Sequence, residues 1–394
     1  MTNRRTLFAI ACLGLLTFGI VFTTLGAVLP EVTARFALGK TAAGSLLTLS
    51  TFGVVVGSLV FGPIVDRWGY KEMLVFATAI VIVGLEGIAF APSLLWLRLS
   101  VLVSGFGGGI INGGTNALVA DISADGRTAG LSKLAVYFGF GAVGVPLTLG
   151  SLLGNFSYAA ILAAIGAATV IPLAATAVTS FPAPKQAQGF PLAAAGRLLR
   201  DPVLLTFGLM LFLESGMEVT VGGWTTTFFE EELSTPARQA LVYLALYWLG
   251  MMVARMTLGV TLRRFAPARI LFTCITIGVA GALSVVATRS TTVAAFGVFL
   301  IGIGCSATFP LVLGFVADRY AALSGTAFSV VMVMALTGGM TLPYVTGVLG
   351  ASYGLRPSFL IVPAALVLLA VLLSLVGARS TAARADHLTI ARPK

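Results

Sequence analysis

Twelve runs of apolar residues, each long enough to cross a lipid bilayer, limit what this chain can fold into. They fall near residues 6–29, 43–63, 73–91, 94–119, 129–152, 157–180, 202–229, 239–262, 268–288, 291–316, 323–347 and 355–377. A bilayer core takes about 20 helical residues. Lipid offers the backbone no hydrogen-bond partner, so each run must satisfy its own bonds as a helix. The start, "MTNRRTLFAIACLGLL", has the look of a secretory signal, but its apolar run continues to Leu29 and reads as the first span. Composition agrees: 58% of residues are hydrophobic and only 10% charged, against about a quarter charged in soluble proteins. The expectation is an all-α membrane protein of twelve transmembrane helices.

Charge gives the orientation. With the N-terminus inside, seventeen Lys and Arg fall in loops or tails on the inner side and five on the outer side, while Arg98 and Arg255 lie within spans. Such a bias places both termini in the cytoplasm of a multi-pass protein of the cell membrane. The net charge of +10 then belongs to inner loops facing lipid and cytosol, not to a nucleic-acid surface. Cys12, Cys274 and Cys305 all sit in apolar runs, and the one histidine, His387, lies in a polar tail. No disulfide, metal or cofactor set is suggested, and no G-x-x-x-x-G-K-[ST] phosphate loop is present in the sequence.

The longest interruption, residues 181–201, is rich in proline and charge and divides the chain into a first bundle (1–180), a linker whose "LAAAGRLLR" suits a short amphipathic surface helix, a second bundle (202–378) and a tail (379–394). The two bundles are related. An offset of 197 residues brings Gly62 onto Gly259, Arg67 onto Arg264, Gly105 and Gly107 onto Gly302 and Gly304, Asp121 onto Asp318, Pro146 onto Pro343 and Gly150 onto Gly347. Two parallel six-helix pseudo-repeats are the architecture of one large transporter class, with the site between the halves near mid-membrane.

One stretch among the loops carries most of the remaining information. "GPIVDRWGYK", residues 62–71, sets Asp66, Arg67 and Lys71 between the second and third spans. It resembles the loop 2–3 signature of the major facilitator superfamily, G-x-x-x-D-R-x-G-x-K. The resemblance covers essentially the whole chain and implies two bundles that rock about a central cavity, giving alternating access. It also implies an inner latch in which Asp66, Arg67 and Lys71 join Asp121 and Asp318 at the inner ends of helices 4 and 10. The repeat counterpart of Asp66 is Arg263, so the latch is expected chiefly in the first half. "GFGGGIINGGTNALVADIS", "LSKLAVYFGFGAVGVPLTLG", "ESGMEVTVGGW" and "ARMTLGVTLRRFAPARIL" are similar to the fucose–galactose–gluconate proton symporter branch and its glucose-transporting relatives. That branch has an acid where this chain has Asn112, and its helix 1 acid has no clear match. Sugar–proton coupling therefore does not carry over residue by residue.

The polar residues within spans are the site candidates. Asn112 and Asn116 share a helix face and suit a hydroxyl-rich solute; the alternative is helix-to-helix bonding across a glycine-rich contact. Glu214 and Glu218, one turn apart in helix 7, are expensive at mid-membrane. They suit proton coupling, the alternative being a structural pair with Arg255. Gly222 and Gly223 predict a break in helix 7. Trp224 just beyond is a candidate to pack on a sugar ring or an interface anchor. Tyr137, Tyr243, Tyr247 and Trp248 are candidates to stack on a solute or to pack. Arg255 suits an inner gate, and Glu86 and Arg98 suit an ion pair flanking the outer turn at Pro92. The function expected is proton-coupled uptake of a sugar or similar small solute by a monomer, with sodium as the alternative ion. Export of drugs or amphiphiles is the alternative function; the absence of Gln from the span interiors, with Gln186, Gln188 and Gln239 in loops or at a span edge, favours it.

Overall fold

The structure, a computed structural model, describes residues 4–122, 127–181, 200–320 and 324–390, the side chains of residues 64, 66, 127–129, 132 and 324–326 and those beyond Val376 excepted. Twelve helices among these are long and apolar enough to span a membrane. They are α1 Arg4–Arg35, α2 Lys40–Pro63, α3 Arg67–Ala89, α4 Leu94–Ile122, α5 Lys133–Leu152, α6 Tyr158–Val178, α7 Pro202–Leu233, α8 Ala237–Thr261, α9 Pro267–Ala287, α10 Thr291–Arg319, α11 Ala327–Tyr353 and α12 Leu355–Val376. The chain is an all-helical multi-pass membrane protein. The amphipathic stretch expected in the linker lies outside the described residues. The final helix runs on from Ile361 to Ile390, through much of the expected tail.

The 197-residue offset recurs in the helix bounds. Leu94 and Ile122, the ends of α4, shift onto Thr291 and Arg319, the ends of α10; Lys40 shifts onto Ala237 and Tyr158 onto Leu355, each the start of its helix. Similar clasps close both repeats at the outer face, the side away from the chain ends. In the first half Arg35, at the end of α1, donates to the Ala91 carbonyl (2.8 Å) and the Tyr158 hydroxyl (2.9 Å). In the second half Glu232, the repeat counterpart of Arg35, pairs with Arg356 at 3.5 Å. Arg356 donates to the carbonyl of Thr288, which is the counterpart of Ala91. Each clasp ties the first helix of a repeat, the turn between its third and fourth, and its sixth. The arginine has moved from the first helix of one repeat to the sixth of the other.

Between α2 and α3 the backbone is helical on both sides of a single interruption at Gly69, φ 86° and ψ 172°. This is the turn that the glycine in "GPIVDRWGYK" supplies. A side chain there is strained by about 1–3 kcal/mol.

Two expectations are corrected. α7 is unbroken from Pro202 to Leu233. Gly222 and Gly223 instead admit neighbours: a Cβ on them would lie 2.8 Å from the Trp248 ring and 2.6 Å from Leu47. The break falls in α10, between the segments Thr291–Cys305 and Thr308–Arg319. Glu86 and Arg98 form no ion pair. They sit on different helix faces, Glu86 turning toward Gly166 of α6 and Arg98 standing exposed.

Inner helix ends are tied within each half. Tyr70 donates to Asp121 at 2.8 Å. Asp201 caps α7, accepting from the Val203 and Leu204 amides at 2.8 and 3.4 Å, and also accepts from the Tyr320 hydroxyl at 2.8 Å. Burial pushes the Asp201 carboxyl up, but those hydrogen bonds and the Arg319 charge outweigh it and hold the group below its ordinary value. Tyr320 is pushed up to about 12, by burial first and then by its bond to Asp201.

The turn and the cap can each be tested by stability. Gly69→Ala should lower the melting temperature of the detergent-purified protein, whereas Gly39→Ala, at a position with open space around it, should not. For Asp201 the folded-state carboxyl lies below its unfolded value, so its contribution is present above about pH 4 and is lost as pH falls through the folded value. Melting curves from pH 6 down to pH 3 should show Asp201→Asn less stable at pH 6, with the gap to wild type closing toward pH 3.

Candidate functional site

The two halves meet along α1 with α7, α2 with α11, and α5 with α8. Gly26 and Gly222 bring α1 and α7 together so closely that a Cβ on Gly26 would sit 2.1 Å from the Gly222 carbonyl oxygen. Polar ties fasten the outer part of this interface. Lys40 pairs with Glu231 at 2.9 Å. Arg238 donates to the Gly150 and Ser151 carbonyls at 3.1 and 3.2 Å. Thr48 donates to the Met340 carbonyl and Thr226 to that of Gly26, at 2.8 and 2.7 Å. The structure is therefore a state closed at the outer face.

Below this seal the interface holds two cavities of about 20 Å³ each. The inner one lies between α5 and α8, with Arg255, Met252 and Gly139 in its wall. The outer one is enclosed by α1, α2, α7 and α8. Trp248 lines both. Its ring meets those of Phe22 and Phe138 edge-on, each at 5.8 Å between centroids, and packs against Tyr247 at 4.8 Å.

The second half carries the charged part of the site. Glu214 is completely buried; no N–H or hydroxyl donor meets its carboxyl oxygens among the described residues, and the Glu218 carboxyl is the polar group beside them. Glu218, one turn on, is half-buried. Tyr247 and Cys305 lie within electrostatic reach of both carboxyls, and Arg255 within reach of Glu214. Arg255 donates from Nε to the Ser306 carbonyl at 3.3 Å, capping a backbone oxygen that the α10 break has freed. Acid pair, arginine and broken helix thus form one cluster about halfway through the second bundle.

In the first half Asn112 and Asn116 do share a face. Asn116 Nδ2 donates to the Asn112 backbone oxygen and to its Oδ1, at 2.8 and 3.1 Å. The amide group of Asn112 and the side-chain oxygen of Asn116 are left to present one donor group and one acceptor. Both residues are half-exposed, on the helix face between those that pack on α1 (Gly108) and α2 (Gly113).

The other candidates are more dispersed. Trp224 is fully buried and its indole donates to the Pro343 carbonyl at 3.0 Å, so in this state its ring packs against protein. Tyr247 is also fully buried, behind Trp248. Tyr137 is 36% exposed and meets Phe140 edge-on. At the inner face Arg67 lies over the Trp68 ring at 5.5 Å, Lys71 is half-buried, and Asp121 and Asp318 are exposed. The Tyr70–Asp121 bond joins the signature stretch to α4; the Asp66 side chain lies outside the described residues. Sequence reasoning named Trp248 as a stacking candidate but passed over Thr51 and Ser306. For Thr51 a signal existed, because the offset of 197 places Thr51 and Trp248 at the same repeat position.

Twelve spans in two repeats of six, with buried acids and paired cavities beside their interface, define a secondary transporter. The sequence profile of the Major Facilitator Superfamily matches residues 11–335, and the chain belongs to that superfamily of transporters, not to an enzyme family. Similarity to individual relatives is distant. Bypass of stop codon protein 6 of Saccharomyces cerevisiae is 24% identical over 65% of this chain and 57% of its own length. A Helicobacter pylori protein described as a glucose/galactose transporter is 29% identical over 36% of this chain and 34% of its own. The multi-drug resistance efflux pump PmrA of Streptococcus pneumoniae is 25% identical over 29% and 27%. The chain thus spans between about a quarter and just over half of these relatives' lengths. The crystal structure of a mutant form of the nucleoside transporter NupG superposes with a TM-score of 0.80 at 15% identity, covering 94% of this chain and 99% of that one, and shows the shared fold.

The Gly26 contact generates a prediction. A methyl group at that position must push α1 and α7 apart by about 1 Å to reach an ordinary contact distance. Gly26→Ala should therefore loosen the outer seal. Spin labels at Gly39→Cys and Ser234→Cys, one on each side of the outer interface, should report longer and broader distances than in the parent.

Proposed function

We propose that the protein is a proton-coupled transporter that takes up a small polar solute of the sugar class by alternating access. The observation that carries this reading is the Glu214 carboxyl, wholly buried at mid-membrane without a hydrogen-bond donor among the described residues. An ionised carboxylate in such a place costs several kcal/mol, so the arrangement is stable with a proton held on the acid pair. Glu218, half-buried one turn away, is placed to pass that proton to water, and Arg255 is near enough to stabilise the pair once the proton has left. Asn112 and Asn116 supply matched donor and acceptor groups for hydroxyls from the facing half. The latch of Asp66, Arg67 and Lys71 with Asp121 and Asp318 belongs to the opposite state, in which the inner face closes. The excess of Lys and Arg on the side of the chain ends supports a cytoplasmic location for both termini, in the cell membrane.

A second reading, export of amphiphilic compounds, is favoured by one feature. The cavity walls are mainly apolar, with Phe22, Phe138, Met251 and Met252 among them, and methionine-rich walls adapt to varied shapes. The partial similarity to a multidrug pump agrees with it.

Proteoliposomes holding a pH-sensitive dye separate the two. On addition of D-glucose, D-galactose or D-xylose in sodium-free buffer, sugar entry should acidify the lumen, and Glu218→Gln should abolish the acidification. Sugar entry that is indifferent to pH and to Glu218→Gln would sink proton coupling. Absence of sugar entry, together with pH-driven rhodamine movement, would establish the export reading.

A further inference from the structure

The outer cavity lies on the local twofold axis of the molecule. Four pairs of repeat mates line it: Phe22 with Val219, Leu25 with Gly222, Gly26 with Gly223, and Thr51 with Trp248. Positions related by the repeat face one another only around the axis that relates the halves, where transporters of this architecture place their solute. Three of the pairs match a larger side chain with a small one or glycine with glycine. In the fourth, the first half supplies a threonine and the second an indole, which projects across the axis and separates the outer cavity from the inner.

Trp248 is held there unlike the other buried tryptophan. Trp224 is fixed by its hydrogen bond to Pro343. Trp248 is 2% exposed, yet its Nε1 has no acceptor among the described residues. Its contacts with Phe22 and Phe138 are edge-on and come from the opposite half, so they are released when the halves rock apart. A buried indole N–H without an acceptor forgoes a hydrogen bond, which a solute oxygen would restore. Each cavity alone has room for about one water.

We propose that Trp248 is a movable partition of the solute chamber. When its indole turns aside, the two cavities become one chamber on the twofold axis, and a ring-shaped solute bearing oxygen acceptors, of the pyranose class, lies against the indole face and accepts from Nε1. The ligand class rests on the uptake reading above; the partition does not.

Thr51, 6% exposed in the outer cavity, reports on the partition. In Thr51→Cys protein, alkylation by N-ethylmaleimide is followed by peptide mass spectrometry, which resolves residue 51 from Cys12, Cys274 and Cys305. Adding Trp248→Ala should speed labelling of residue 51 by at least about tenfold, and Trp248→Phe by less. Buried Cys305 should remain inert, which shows that the protein is folded. If Trp248→Ala proves unfolded by that measure, the smaller change Trp248→Phe decides the matter. A labelling rate within about twofold of the parent in a folded variant would overturn the partition. D-glucose, D-galactose or D-xylose at millimolar concentration should slow labelling wherever Trp248 is present and protect less once it is gone. Faster labelling in the Trp248 variants without protection by any of the three sugars would keep the partition, and would remove the pyranose class together with the uptake reading.

Discussion

The structure depends on a constraint imposed by its solvent: within hydrocarbon, no backbone or side-chain polar group can be left to water. Twelve helices answer it for the backbone. The exceptions answer it locally. Where α10 opens at Ser306, the carbonyl is met by the Arg255 side chain. The inner start of α7 is met by Asp201. At the outer face, carbonyls at the turns are met by Arg35, Arg238 and Arg356. The central cluster departs from this economy. Glu214 is buried with only the neighbouring Glu218 carboxyl beside it, and the buried Trp248 indole has no acceptor among the described residues. In this cluster a proton, a solute or the alternative conformation can supply the missing bond.

The same accounting explains why the halves can move. Within each half the clasps of Arg35 and Arg356 tie helices that are distant in sequence. Between the halves the outer ties are few: a surface ion pair of Lys40 with Glu231, single side-chain-to-carbonyl hydrogen bonds like that of Thr226 to Gly26, and glycine backbones in contact, like Gly26 with Gly222. Exposed ion pairs contribute little, and backbone contacts without side chains can separate without repacking a core. Rigid bundles joined by a weak interface are the mechanical requirement for alternating access.

How far this was legible in the sequence depended on whether the governing interaction was local. The spans were legible, because the requirement for about 20 apolar residues acts on each run separately. The repeat was legible as a fixed offset, and the turn at Gly69 as glycine within a recognisable loop. What failed was the geometry between helices. Gly222 and Gly223 read as a helix break because glycine weakens a helix, yet Leu47, Trp248 and Gly26 use that space for packing. Glu86 and Arg98 read as a pair from their common depth, while the faces they occupy depend on how α3 and α4 rotate against α6. The α10 break did have a local signature that was passed over: Pro310 has no N–H to give the Ser306 carbonyl four residues back, which is the carbonyl that Arg255 meets.

Trp248 shows how the missing part becomes legible once the repeat is read for its differences. Identities at the 197-residue offset mark what the two bundles must share: glycines at crossings and prolines in α5 and α11. Differences close to the axis mark where one half has been altered against the other, because two equal side chains reaching the same axis must either collide or leave a void. Leu25 against Gly222 and Thr51 against Trp248 are such complements. The pair at Thr51 and Trp248 places an indole, the largest kind of side chain, at the most symmetric point of the fold. An indole there blocks the path between the halves in the closed state, and it must give way before anything larger than a water molecule can pass. Asymmetry at the axis is thus a physical expectation for any two-repeat carrier that must stay sealed when empty.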